Sequence, residues 1–196
     1  DGRDNIYLGN YSGWYNRFDE QFVTRAEVEV MPKNELGEPL DKLGRPLEKK
    51  EEPAYFFRMS AYKDALVEHM RRNPFFVQPP SSRGEIEAFL KQDLEDLCIS
   101  RTTITWGVPC PVPEPGHVMY VWFDALTNYV TGAGTLLGPG KDKGLWPADV
   151  HVIGKDITRF HVVYWPTMLM AAGLDLPRTV FAHGFVTAPD GQKMGK

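Results

Sequence analysis

The chain of 196 residues (22.2 kDa) is 42% hydrophobic and 24% charged, near the globular average, which excludes a collagen-like, low-complexity or wholly disordered polymer. No window approaches eighteen uninterrupted apolar residues, and two cysteines, Cys98 and Cys110, with no Cys-x-x-Cys, exclude a disulfide framework and a structural zinc site of that type. The net charge of −4 confines any nucleic-acid contact to a local basic patch; no signal peptide is visible, and a start at Asp1 without methionine leaves open an N-terminal address outside this sequence.

Residues 1–72 read as a β-rich unit. Tyr7 to Tyr15 is aromatic and punctuated by glycine, the pattern of short strands joined by tight turns. Phe22 to Met31 alternates apolar and polar residues and predicts a strand. Asn34 to Pro53 is polar and echoes itself, Leu36-Gly-Glu-Pro-Leu40 and Leu43-Gly-Arg-Pro-Leu47, which predicts two successive turns. Ser60 is placed to cap a helix over 61–72 that buries Tyr62, Leu66 and Met70 and ends at Asn73-Pro74. After a proline-rich crossing at 73–84, Ser82-Arg-Gly-Glu85 reads as a capping box for a helix with Ile86, Phe89, Leu90 and Leu94 on its apolar stripe.

From His117 the pattern becomes β-α-β-α-β. Val118 to Phe123, Val150 to Ile153 and Thr179 to His183 read as buried strands, with a helix from Ala125 to about Thr131 and a longer one from Ile157 to Ala172. Their spacing of roughly thirty residues suits parallel crossovers, so this half is α/β and doubly wound. Asp156 is the predicted N-cap of the longer helix, and Pro166 predicts a kink within it.

Ligands in such sheets sit beyond the C-terminal strand ends. Trp122-Phe-Asp-Ala125, Gly154-Lys-Asp156 and His183-Gly-Phe-Val186 therefore share one rim. Gly154 allows close approach of a ligand, and Asp156 can accept from hydroxyls when it is not simply a cap. No Gly-Lys pair has a glycine five positions before it, so no Walker-type cradle is present. Gly191 to Lys196 holds two lysines in a glycine-containing loop, suited either to solvent or to a polyphosphate. His161, Tyr164, Tyr129, Trp122 and Trp165 read as core residues on the residue pattern alone.

Taken in order, Gly13-Trp-Tyr with Asp19-Glu20, Tyr55 to Ser60, Ser100 to Pro109, Tyr120 to Ala125, His151 to Asp156 through Phe160-His161 to Trp165-Pro166, and His183 to Thr187 with Lys193-Met-Gly-Lys196 resemble the methionyl-tRNA synthetases, class I aminoacyl-tRNA synthetases. The resemblance implies an α/β chain: residues 1–80 are a β-rich connective insertion, and residues 81–196 are the second half of the Rossmann catalytic fold. The expected insertion is a zinc-free knuckle, because the family's zinc cysteines have no counterpart here. The first Rossmann half with its His-Ile-Gly-His signature also has no counterpart, so this segment is expected to be part of a longer enzyme and inactive alone.

The implied reaction is ATP-dependent activation of methionine to methionyl-adenylate, then transfer to tRNA(Met), with ATP and Mg2+ entering as substrate and no membrane partner. By family match, Trp122, Ala125, Leu126, Tyr129, Ile157 and His161 line the methionine pocket, with Leu126 where proline is common. Gly154 and Asp156 hold the ribose, and His183 and Val186 border the adenine. Lys193 and Lys196 meet the phosphates, with Gly195 in place of a loop serine, and Arg101 supports the amino-acid side. The implied compartment is the cytoplasm, with an organelle as the alternative. A sibling synthetase for leucine, isoleucine or valine, and a non-catalytic tRNA- or protein-binding module, are the competing readings.

Overall fold

The computed structural model describes residues 5–18, 21–23, 25–104, 106–135, 144–189, 191, 192 and 194. In chain order the elements are β1 (Ile6–Asn16), β2 (Gln21–Val23), α1 (Arg25–Val30), β3 (Glu48–Phe57), α2 (Lys63–Arg72), β4 (Val77–Gln78), α3 (Pro80–Leu90), β5 (Leu97–Cys98), β6 (Ser100–Arg101) and β7 (Val118–Met119). They continue with α4 (Val121–Ala125), α5 (Asn128–Ala133), β8 (Val150–Gly154), α6 (Trp165–Ala172) and β9 (Thr179–His183). The contacts divide the chain into two compact units, one of residues 1–7, 57–97 and 120–196, the other of 8–56 and 98–119. The division does not fall at residue 80, because Met59, Leu66, Met70, Phe76 and Val77 are core residues of the first unit.

The first unit is built on a parallel sheet of order β4-β9-β8. Two of its strands are those expected from the sequence. The third is Val77–Gln78, not Val118 to Phe123. That apolar run breaks after Met119: Val118–Met119 pairs antiparallel with Ser100–Arg101, and Val121–Ala125 is helical, with Val121 63% exposed. Apolar content alone does not separate a buried strand from a helix that carries aromatic side chains. In β8 and β9 the period-2 pattern is clean, with His151, Ile153, Val180 and Ala182 buried.

Helix starts also differ from the capping signals. Ser60 lies in a 3-10 turn over Met59–Tyr62, its backbone N–H donating to Asp96 Oδ1 at 3.0 Å, and α2 begins at Lys63. The next helix begins at Pro80, two residues before the expected box, because proline at the first position loses no needed hydrogen bond. Ser82 is thereby a buried helical residue.

Between β8 and β9 the expected single helix is three pieces. Lys155–Ile157 is a 3-10 turn with Gly154, not Asp156, at its N-cap; Phe160–Tyr164 is π-helical; Trp165–Ala172 is α-helical. Pro166 explains the middle piece. Having no N–H, it cannot bond back one α-turn, and the wider spacing appears just ahead of it, with Trp165 N–H donating to Phe160 C=O. Trp165 and Leu169 anchor this helix in the core, each contributing roughly 1.5–3 kcal/mol of apolar burial.

The second unit holds a sheet of order β2-β1-β3-β5. Tyr7 to Tyr15 lies in one eleven-residue strand, not several short ones. The strand expected from Phe22 to Met31 stops at Val23, and Arg25–Val30 is helical, with Val30 83% exposed. The two echoed turns are present and built alike. Asn34 Oδ1 accepts from the N–H groups of Leu36 and Glu38, and Asp41 Oδ1 from those of Leu43 and Arg45, all at 2.9–3.0 Å. Gly37 and Gly44 take the positive φ (79° and 76°) that such turns demand. The Arg45 guanidinium donates to Asp41 Oδ2 at 2.7 Å and holds that carboxyl below its ordinary range. Side-chain hydrogen bonds thus close both turns, and neither contains a cysteine or histidine.

Candidate functional site

Parallel pairing of β8 with β9 sets Gly154 directly opposite His183 at the C-terminal edge of the sheet. The loops that leave these two strands are Lys155–Ile157 and Gly184–Val186. They are joined by the Lys155 ammonium, 4.5 Å from the centre of the Phe185 ring. Gly154 has an ordinary extended backbone (φ −69°, ψ 146°), so conformation does not require glycine there. Space does: a Cβ at this position would lie 2.6 Å from Asp156 Oδ1. The missing side chain lets the Asp156 carboxylate fold back over the strand end, in a solvent-exposed position.

His183 is exposed, and its Nδ1 lies 2.7 Å from the Gly184 carbonyl, to which it donates. Val186 is exposed, and its carbonyl accepts from Met194 N–H at 2.9 Å. Ala188 N–H donates to Gln192 C=O, and Gly191 turns the chain at φ +82°. The segment after the last strand therefore doubles back beside Val186. Lys193, Gly195 and Lys196 lie outside the described residues.

The residues expected around the methionine side chain converge from two segments of the same unit. α4 and the start of α5 supply Trp122, Ala125, Leu126 and Tyr129; the 3-10 and π-helical segment supplies Ile157, Phe160 and His161. Trp122 stacks on Phe160 with ring centres 4.2 Å apart and planes at 22°. Ala125 is half-buried, and its carbonyl accepts from the Asn128 side-chain amide. Leu126 is fully buried.

A chain of hydrogen bonds crosses the centre of this group. Tyr129 Oη is 2.8 Å from His161 Nε2, and His161 Nδ1 is 3.0 Å from Ile157 C=O. A carbonyl only accepts, so Nδ1 carries the proton, and Tyr129 O–H donates to a bare Nε2. His161 is 2% exposed. Burial pushes its pKa down and that of Tyr129 up, so at neutral pH both groups are uncharged. The result is a polar but uncharged pair, both of its donors committed within the protein, next to the stacked rings of Trp122 and Phe160.

Three residues of this group were not among those expected at the site. Phe160 is the partner of Trp122. His151 lies 4.3 Å from the Tyr129 ring centre, and Trp165 lies 6.0 Å from it. His151 shares the buried face of β8 with Ile153, a placement that period-2 alternation could have revealed. Its pKa is pushed down to about 4 by burial and by the neighbouring His161.

Arg101 belongs to the other unit and makes several contacts there. Its Nη1 donates to Cys98 Sγ at 2.6 Å and to Ser100 C=O at 3.0 Å, its Nε is 3.9 Å from Glu52 Oε1, and its guanidinium lies 4.3 Å from the Tyr11 ring centre. Glu52 Oε2 in turn accepts from the N–H of Thr103 at 2.9 Å and the hydroxyl of Thr102 at 3.1 Å. These contacts order the start of the 101–109 loop. Burial raises the Cys98 thiol pKa despite the neighbouring guanidinium. Among the described residues, no group of three or more His, Cys, Asp or Glu is arranged to hold a metal ion.

The sequence profile of the family described as tRNA synthetases class I (M) matches residues 1–196. The methionine--tRNA ligase of Mycobacterium tuberculosis is 50% identical over 199 residues, covering 97% of this chain and 36% of that protein. That of Rhizobium meliloti is 50% identical over 196 residues, with the same coverages. Among solved structures, Mycobacterium tuberculosis methionyl-tRNA synthetase in complex with methionyl-adenylate matches with a TM-score of 0.78 at 50% identity, over 97% of this chain and 37% of that one. Its free state matches with a TM-score of 0.77 over 93% of this chain and 36% of that one. The chain thus spans a little over a third of the length of these relatives.

Proposed function

Because the chain belongs to the family of class I tRNA synthetases (M), we propose that it forms the second half of the catalytic Rossmann fold of a methionine--tRNA ligase, together with a connective insertion. In this reading the unit of residues 8–56 and 98–119 is the body of the insertion, in place of a boundary at residue 80, and the parallel-sheet unit carries the chemistry. The fold is the α/β fold of class I synthetases.

The reaction starts when a methionine carboxylate oxygen attacks the α-phosphorus of ATP. A phosphorus–oxygen bond forms, the bond to the β-phosphate oxygen breaks, and pyrophosphate leaves with its electrons. The terminal ribose hydroxyl of tRNA(Met) then attacks the adenylate carbonyl, loses its proton and displaces AMP. No group of the protein is bonded to substrate, so the enzyme acts by positioning and charge stabilisation. Mg2+ arrives with ATP and is held chiefly by its phosphates.

The observation that carries this reading is the uncharged Tyr129–His161 pair beside the Trp122–Phe160 stack. A thioether is apolar and polarizable, and it suits aromatic walls beside an uncharged polar pair whose donors are already used. A charged histidine would favour a carboxylate or phosphate instead, and burial keeps His161 neutral. Ala125, Leu126 and Ile157 complete the side-chain pocket. Gly154 and Asp156 receive the ribose hydroxyls, and His183 and Val186 border the adenine, at and beyond the ends of the adjacent strands β8 and β9. Lys193 and Lys196 meet the phosphates. Arg101 acts on the amino-acid side by ordering its loop, its Nη1 donating to Cys98 Sγ and the Ser100 carbonyl. The activity belongs to protein synthesis in the cytoplasm. No helix among the described residues is long and apolar enough to cross a membrane.

Isothermal titration of the full-length protein with methionine and with leucine tests this pocket. Methionine is expected to bind and leucine to bind at least about tenfold more weakly, the scale a pocket of this kind achieves. Equal affinity for the two would overturn the reading.

A further inference from the structure

Tyr129 is held by more than its hydroxyl. The His151 ring lies 4.3 Å from the Tyr129 ring centre, tilted by 49°, and 6.2 Å from that of His161. His151 is 5% exposed, and its Nε2 is buried with no hydrogen-bond partner among the described residues. An unpaired buried nitrogen costs about 1–3 kcal/mol, so the imidazole does not hold its place here through that atom. What it supplies is a flat ring. Tyr129 and His151 also line an open groove of about 420 Å³ with Trp146, Val150 and Val152. Tyr129 therefore stands between the residues assigned to the methionine side chain and an open space, and the His151 ring is what it rests against.

We propose that His151 is a positioning residue whose ring backs Tyr129, fixes its hydroxyl on His161 and so sets the length of side chain the pocket accepts. The proposal rests on the assignment of Tyr129 and His161 to the methionine pocket. Without the ring, Tyr129 can tip toward the groove, its 2.8 Å hydrogen bond opens, and the pocket lengthens by the space given up. His151 touches no substrate in this account. A titrating switch is not involved, because burial and the neighbouring His161 keep the ring neutral down to a pH of about 4.

The test is ATP–pyrophosphate exchange by the full-length protein with methionine and with ethionine, which is one methylene longer. His151→Ala is expected to lower the methionine-to-ethionine ratio of kcat/KM by about tenfold, the low end of what one methylene is worth in an apolar pocket. His151→Phe keeps the ring and removes the unpaired nitrogen, and it is expected to hold the ratio near that of the wild type. A merely structural defect lowers exchange with both amino acids alike and leaves the ratio unmoved. An unchanged ratio in His151→Ala overturns the proposal, as does a ratio in His151→Phe as low as in His151→Ala. Should the alanine variant fail to fold, His151→Leu, which fills volume without a planar ring, takes its place in both comparisons. A wild-type protein that activates neither amino acid overturns the pocket assignment and this inference with it; an active wild type with no ratio change overturns this inference alone.

Discussion

Removing one oxygen atom, by Tyr129→Phe, isolates the polar contact at the centre of the site. The phenol donates to His161 Nε2 at 2.8 Å, and that nitrogen belongs to a ring only 2% exposed. With the hydroxyl gone, Nε2 is left buried and unpaired, because Nδ1 is already committed to the Ile157 carbonyl. A stranded buried acceptor costs about 1–3 kcal/mol. The bond is present without methionine, so part of this cost falls on the free enzyme, and at about 1.4 kcal/mol per tenfold the loss in methionine activation is bounded by roughly 150-fold. Steady-state ATP–pyrophosphate exchange on the full-length protein reads the effect. The expected result is a fall within that bound in kcat/KM for methionine with the KM for ATP unchanged, since the residues assigned to ATP lie at the strand ends. A methionine kcat/KM equal to that of the wild type would refute the reasoning.

Other perturbations probe other parts of the site. Gly154→Ala puts a methyl group 2.6 Å from Asp156 Oδ1 and must displace that carboxylate, so the KM for ATP should rise with little change for methionine; an unaltered KM for ATP removes Asp156 from the ribose site. Trp122→Ala abolishes the stack on Phe160, worth about 0.5–1.5 kcal/mol beyond area burial, and should weaken methionine binding in a direct titration; unchanged affinity would detach Trp122 from the pocket. Lys196→Ala should slow adenylate formation in a single-turnover experiment without changing methionine affinity, and an unslowed rate would return the loop to solvent. His151 and His161 are both depressed by burial, so each takes up a proton more readily when unfolded. Their contribution to stability is complete above about pH 6.5 and falls as pH drops, for His151 down to about 4, and denaturant midpoints should decline across the His151 window less steeply in His151→Phe than in the wild type.

The parts of the fold that were legible are those with a strong local signal. β8 and β9 stood out as short apolar runs, although only one face of each is buried, and the Asn34 and Asp41 turns follow from residue types that accept from their own backbone. The third parallel strand was hidden because Val77–Gln78 is two residues long and shows no period. Val118 to Phe123 misled for the opposite reason: its apolar residues are divided between a two-residue antiparallel strand and a short helix in which Trp122 stacks on Phe160. Pro166 announced an irregularity in its helix, but the backbone absorbs it as a π-helical segment just ahead of the proline, the segment that presents Phe160 and His161. Within the site, Leu126 with Tyr129 and Ile157 with His161 stand at helical spacings that sequence can reveal. The facing of Trp122 on Phe160 and of His151 on Tyr129 is tertiary, and no local pattern encodes it.

The most direct measurement is ATP–pyrophosphate exchange by the full-length protein with methionine, leucine, isoleucine and valine supplied separately. The account predicts exchange that depends on methionine and is absent or weak with the other three. Exchange driven best by one of the branched-chain amino acids would keep the reaction class and contradict the pocket; no exchange with any of the four, in folded protein, would contradict the catalytic reading itself.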